Sequence, residues 1–556
     1  MRLDAATRRR ALDAMGSGDL DLLVVGGGIT GSGAALDAAT RGLRVGLVEA
    51  RDLAAGTSSA SSKVIHGGLR YLEMGDFGLV REALRERQLL LTRIAPHLVS
   101  PLPFLWPLRG RGWERAYLGA GLVLYDGIGG ARSVPRHRHL SRRGALAAAP
   151  ALRRDALVGG VQFYDAAEDD ARMVAVVART AAAHGAHVAT RVRVTGLPRR
   201  GEVDAVDEET GERVVLRARH VAGAAGAWTD RLRAFAGGRS ATRIVASKGI
   251  HVFVPGDRID MTTGLLARTE KSVLFVVPFQ GGWLIGDTDT PWAAGPDEVV
   301  ATGADVDYLL GKANALLAEP LRRDDVHGVT AGLRPLVADA ARRDTTRISR
   351  RHVVESPAPG LTTIAGGKYT TYRVMAADLV DAVARALGTT APSVTRDVPL
   401  LGAEVGRIDR PALAARAGLP VSAIDRLAGR HGDRVEELVE LVEARPELAG
   451  PLPGGAGHLA AEVVYACTHE GALHLDDVLE RRTRLALTAP DRGLEAAAPA
   501  AALMAGALGW DPGRARREVE AWGARVAAGR AAEAERDDER ALAAYRAELA
   551  GAPVPR

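Results

Sequence analysis

Two sets of residues in this chain have the types and spacing to do chemistry. The first is Gly26-x-Gly28-x-x-Gly31, followed 18 residues later by Glu49. Gly26 permits a tight turn, Gly28 lets backbone approach a pyrophosphate, and Gly31 lets a helix pack against the preceding strand. A helix N-terminus there offers N–H groups to phosphates, and Glu49 is placed to accept hydrogen bonds from a ribose diol. The pattern is that of an adenine dinucleotide site. The second set is scattered: Arg70 and Arg334, each in a Gly-Leu-Arg turn, and Lys368 in Gly366-Gly367-Lys368-Tyr369-Thr370-Thr371. A guanidinium fork and a compact ammonium suit a dianionic phosphate, whereas each cation alone reads equally well as solvated charge.

Around these lie supporting candidates. Thr57-Ser58-Ser59-Ala60-Ser61-Ser62-Lys63 is dense in hydroxyls and ends in a cation, so it suits the pyrophosphate and ribityl chain of an extended FAD; alone it would read as a solvated loop. The loop leads into Gly67 and Gly68, and Gly223 to Gly226 let backbone lie against a flat ligand, although a plain left-handed turn explains that run nearly as well. A helix beginning near Thr370 would aim its N-terminus at the flavin N1–C2=O. His251, expected at the start of a strand, is a candidate base for a substrate hydroxyl, although such a histidine is more often structural.

The elements that must hold these residues read as α/β. A buried strand at 21–25 and a second at 45–49 flank a helix, and residues 79–98 and 170–184 read as further helices. Strands are expected at 214–221, 250–254, 273–277, 283–285 and 361–365, and a helix near 305–318. After about residue 395 nearly every segment is helical and alanine-rich. The expected architecture is a Rossmann-like FAD-binding domain with an interleaved substrate-binding β-sheet subdomain over residues 1–395, then a helical C-terminal domain over 396–556.

Composition limits the alternatives. With 556 residues the chain exceeds one compact core. A net charge of +5 gives no argument for nucleic acid, and the single cysteine, Cys467, excludes disulfide frameworks and cysteine metal clusters. No metal site is expected. Five lysines stand against 68 arginines, and three of the five (Lys63, Lys248 and Lys368) sit in the motifs above and below. No apolar run approaches the ~20 residues of a membrane span, and no secretion signal is visible, which places the protein in the cytoplasm. One dinucleotide fingerprint without a second nicotinamide site suggests a flavoenzyme that oxidises its own substrate directly.

Taken with Lys248-Gly249-x-His251, Gly332-Leu333-Arg334-Pro335-Leu336 and Arg481-Arg482-Thr483-Arg484, these motifs closely resemble FAD-dependent glycerol-3-phosphate dehydrogenase in order and spacing. The resemblance implies oxidation of sn-glycerol 3-phosphate to dihydroxyacetone phosphate, with electrons passing to a membrane quinone. It places Arg70, Tyr71, His251, Arg334 and Lys368 on the substrate, with His251, Arg334 and Lys368 in catalysis. The cofactor residues would be Gly26, Gly28, Gly31, Glu49, Thr57, Ser58, Ser59, Ser62, Lys63, Gly67, Gly68, Gly226, Gly366, Gly367, Lys368 and Thr370. Two positions depart from the family pattern: Ala227 stands where a proline is common, in a run that has also lost a threonine hydroxyl, and Asp287 replaces a usual threonine. Quinone reduction implies peripheral contact with the cytoplasmic membrane face. The segment Trp113 to Tyr125, near Arg109, Arg111, Arg115 and Arg132, has an interfacial mix of residues, although a buried helix between domains would look the same. An oxidase passing electrons to oxygen, an amino-acid or amine oxidase of the same superfamily, and a homodimer all remain open at this point.

Overall fold

The computed structural model describes residues 1–554 apart from 19, 74, 111, 130–132, 200, 238–239, 271–272 and 340–350, and apart from the side chains of 70, 73, 129, 199 and 339. The described residues form two sheets and a helical C-terminal region.

The first sheet has eight strands, and its centre is parallel. Leu20–Val25 lies between Val45–Val48 and Arg213–Gly223, with Val24 opposite both Leu47 and Ala222. Leu22, Leu23 and Val24 are fully buried, as a strand covered on both faces requires. Leu361–Ala365 extends the sheet beside Arg213–Gly223. The helices Ile29–Thr40, Asp170–Ala183 and Tyr372–Leu387 pack together on one face through Ala34, Ala38, Val174, Val177, Leu379 and Val383.

The second sheet has ten strands and is mostly antiparallel. Its long Thr242–Pro255 strand pairs with Gly328–Asp339 in an unbroken register that sets Ser247 opposite Arg334, Gly249 opposite Gly332 and His251 opposite Thr330. Alternation puts those residues on one face and Ile250, Val252 and Val254 in the core behind. After Ala365 the described residues are helices and turns, joined by isolated bridges at Leu3–Glu470 and Pro451–Leu459.

Several local readings need correction. His251 is deep within a 14-residue strand, not at its start. Arg334 lies in a strand, not a turn: Gly332 is small because a Cβ there would lie 2.6 Å from the Ala60 Cβ, where the serine-rich loop crosses the sheet. The helix expected over 79–98 spans Phe77–Leu89, widens to a π-turn through Ile94 and stops. The helix near Thr370 is a short 3-10 turn, Tyr369–Thr371, followed by the α-helix Tyr372–Leu387.

Candidate active site

One cavity of about 1560 Å³ runs between the two sheets. It exceeds the ~300–1,000 Å³ of an ordinary small-molecule pocket, leaving room for an extended dinucleotide and a small substrate. At one end lie Gly26, Gly28 and Glu49, and the Glu49 carboxylate accepts hydrogen bonds from the Gly27 and Arg51 N–H groups at 2.7 and 2.8 Å. Gly26 has φ +115°, and a Cβ there would lie 2.5 Å from the Ala224 carbonyl oxygen, so only glycine fits. At the far end Gly366 and Gly367 take φ values of +76° and +81° and turn the chain along the wall. This backbone cradle and acid fit FAD, which Gly26, Gly28, Glu49, Gly226, Gly366 and Gly367 would hold.

The serine-rich loop is tied into the protein more than expected. Ser58 Oγ accepts from the Ile29 N–H at 3.0 Å, and Thr57 Oγ1 donates to the Leu333 carbonyl at 2.6 Å. Ser62 Oγ lies 2.9 Å from His251 Nε2. Thr57, Ser58 and Ser62 still line the cavity, as do Gly68 and Thr370, whose hydroxyl donates to the His66 carbonyl.

Four expected cofactor residues sit behind the wall. Gly31 is pressed against the turn, where a Cβ would meet the Gly26 oxygen at 1.8 Å. Gly67 donates its N–H to Asp165 and backs onto Leu84 and Tyr125. Ser59 donates to the Gly56 carbonyl. Lys63 is buried, with its Nζ 2.7 Å from the Asp170 carboxylate and 2.7 Å from the Ser59 carbonyl, so it anchors the loop instead of meeting a phosphate.

The substrate candidates converge with one gap. Tyr71, His251, Arg334 and Lys368 all line the cavity. Lys368 Nζ lies 3.4 Å from the Tyr71 ring centroid, a cation held on an aromatic face. Arg334 donates to the Thr288 carbonyl at 2.8 Å and pairs with Asp287. Arg70 belongs to the short helix Leu69–Glu73, and its side chain lies outside the described residues. Burial pushes the His251 imidazole down to about 4, with Asp287 opposing and Lys63 and Arg334 reinforcing the shift. The ring is therefore neutral at pH 7 and has a lone pair for a proton. Lys248, one residue out of phase, points to the opposite face and meets Asp305 at 2.7 Å and Asp538.

These relations match known proteins. The family model of FAD-dependent oxidoreductases covers residues 21–373, and that of the C-terminal domain of alpha-glycerophosphate oxidase covers residues 393–515. Glycerol-3-phosphate dehydrogenase 2 of Mycobacterium tuberculosis is 48% identical over 546 residues, 96% of this chain and 93% of the relative. The chain belongs to the FAD-dependent glycerol-3-phosphate dehydrogenase family. The human mitochondrial glycerol-3-phosphate dehydrogenase is 36% identical over 539 residues, 92% of this chain and 73% of its own. The structure of glycerol-3-phosphate dehydrogenase from Bacillus halodurans complexed with FAD superposes with a TM-score of 0.79 at 28% identity, covering 94% of this chain and 98% of that one.

Within this family fold, the residues that sequence reasoning missed stand one layer out. Asp170 carries Lys63, and Asp165 accepts from Tyr125 at 2.6 Å, Arg87 at 2.5 Å and the Gly67 N–H at 3.1 Å. The signal for Asp170 was an acid at the start of a helix, which ordinarily reads as macrodipole compensation.

Proposed function

We propose that this chain oxidises sn-glycerol 3-phosphate to dihydroxyacetone phosphate and delivers the electrons to a membrane quinone. The observation that carries the reading is a single cavity lined by a neutral buried imidazole, His251, together with two cations, Arg334 and Lys368. FAD, when bound, supplies the two-electron acceptor for the hydride that leaves C2 of the substrate. Arg334 presents a guanidinium fork and Lys368 a point charge to the phosphate, and both orient the substrate carbon chain. Neutral His251 takes the C2 hydroxyl proton, and the Ser62 hydroxyl bonded to Nε2 fixes the ring's plane. Lys368 would also offset the negative charge that develops on the C2 oxygen as its proton leaves.

The acceptor and location rest on one helix. Gly112–Gly129 exposes Trp113, Tyr117, Val123 and Leu124 while burying Leu118, Leu122 and Tyr125. Tyr117, Gly121 and Leu124 also line the cavity, so one stripe joins the protein surface to the redox site. Arg109 precedes it and Arg115 lies in its first turn, donating to the Leu140 carbonyl at 3.0 Å, while Arg111 and Arg132 lie outside the described residues. Among the described residues no helix is long and apolar enough to cross a membrane, so the contact would be interfacial.

The test is anaerobic mixing of the FAD-loaded protein with glycerol 3-phosphate. Bleaching of the flavin absorbance, with reoxidation by quinone faster than by oxygen, is expected. A flavin that stays oxidised would overturn the reading, and faster return with oxygen would overturn the quinone assignment.

A further inference from the structure

Arg334 already carries an anion from its own chain. Its Nη2 pairs with Asp287 and donates to the Thr288 carbonyl at 2.8 Å, and its Nη1 lies 3.4 Å from Ser247 Oγ, with Asp289 at 3.7 Å. Both Arg334 and Asp287 line the cavity. Gly249 makes room for the pair: a Cβ there would lie 2.6 Å from Arg334 Nη2 and 2.8 Å from Asp287 Oδ1.

The carboxylate is held unevenly. Among the described residues, Arg334 is the one hydrogen-bond donor to Asp287, and the second oxygen, Oδ1, is buried without a partner. A carboxylate held purely for structure would ordinarily be satisfied on any oxygen that is buried. Arg334, by contrast, has contacts to the Thr288 carbonyl and to Ser247 that do not involve the Asp287 carboxylate. The geometry is that of an orienting scaffold for the guanidinium plus one exchangeable anion.

We propose that Asp287 is a specificity-determining residue, an internal counter-ion that an incoming phosphate must displace from Arg334. This rests on reading Arg334 as the phosphate contact. Two anions cannot share the fork without repulsion, so binding proceeds only for ligands whose charge outweighs that of a carboxylate. A phosphate dianion meets that condition, and a carboxylate monoanion of similar shape does not. The same competition weakens the hold on the phosphorylated product and so assists its release.

The experiment uses FAD-loaded wild type, Asp287→Asn and Asp287→Ser. Inorganic phosphate affinity is measured by calorimetry, D-glycerate affinity in the same way, and KM and kcat with glycerol 3-phosphate. Expected is a fall of about tenfold in the phosphate Kd and in KM in either variant, without a rise in kcat, and a larger relative gain for glycerate than for phosphate. An unchanged or larger phosphate Kd overturns the proposal, and so does loss of FAD in both variants, which would make Asp287 structural. Wild type that is never bleached by glycerol 3-phosphate defeats the functional reading instead. A phosphate Kd that still falls in the variants would then leave the anion competition standing.

Discussion

Arg484 Nη2 lies 2.7 Å from an Asp169 carboxylate oxygen, although the two residues belong to the helical C-terminal region and to the turn before Asp170–Ala183. The same guanidinium pairs with Asp170, which holds Lys63, and it donates to the Ser59 carbonyl at 3.3 Å. Burial alone would raise the Asp170 carboxyl, yet Lys63 and Arg484 keep it below the ordinary range. A C-terminal arginine thus braces the loop whose Ser62 touches His251. Arg484→Met leaves buried carboxylates without their counter-charge and is expected to cost about 3–5 kcal/mol of stability. Thermal unfolding checks this, and a melting temperature within a degree of wild type would remove Arg484 from the brace.

His251 tests the chemistry directly. His251→Asn keeps a polar group of similar reach but lacks a basic nitrogen. The rate of flavin reduction by glycerol 3-phosphate is expected to fall by about 10²–10⁴ while FAD stays bound. Stopped-flow absorbance separates the two readouts. Reduction at a near-normal rate would exclude His251 as the base.

Arg334→Leu removes the phosphate fork and leaves Asp287 in the cavity wall facing the substrate. The expected loss is ~2–4 kcal/mol in kcat/KM. Adding Asp287→Asn should restore part of it, because the repelling charge goes. Kinetics of the single and double variants decide, and equal kcat/KM for wild type and Arg334→Leu would take the residue out of the site.

The exposed stripe of Gly112–Gly129 predicts a membrane phenotype. Replacing Trp113 and Val123 together by serine removes two exposed apolar side chains without touching the buried Leu118 and Leu122 or the cavity-lining Tyr117 and Leu124. Binding to anionic lipid vesicles, read by flotation, is expected to drop at least tenfold, while reduction by glycerol 3-phosphate is kept. Unaltered flotation would assign the stripe another role.

What could be read along the chain was what is enforced locally. Gly26, Gly28 and Gly31 sit where the backbone itself forbids a Cβ or benefits from none, and Glu49 follows at the end of the next strand. Parallel strands announced themselves through unbroken apolar runs such as Leu22 to Val24. Lys63 misled because its partner Asp170, itself paired with Arg484, comes from a distant segment, and a cation after a hydroxyl-rich loop looks the same whichever anion it meets. Gly-Leu-Arg around Arg334 looked like a turn because glycine punctuates turns, whereas Gly332 is required by the crossing of Ala60. The Arg334–Asp287 pair depended on Gly328–Asp339 and Gly282–Gly286 both pairing with Thr242–Pro255, a register that no local pattern states.

Stability should pass through a maximum in pH, set by buried histidines of opposite habit. Burial pushes His97 down to about 4, against a weaker upward pull from Asp433. His251 is also lowered to about 4. Unfolded histidine takes its proton near 6.5, so between about 6.5 and 4 the unfolded chain binds protons that the folded one refuses, and stability falls as pH falls. His474 behaves in reverse: burial acts to lower it, but bonds to Glu209 at 2.6 Å and Glu518 at 2.9 Å raise it to about 9. Its contribution is complete below 6.5 and is lost as pH rises through 9. The melting temperature is therefore expected to peak between these limits, with each group worth ~2–3 kcal/mol across its window. His97→Phe should flatten the acid limb and His474→Gln the alkaline one. An acid limb as steep in His97→Phe as in wild type would exclude His97 as its source and leave His251 as the remaining candidate.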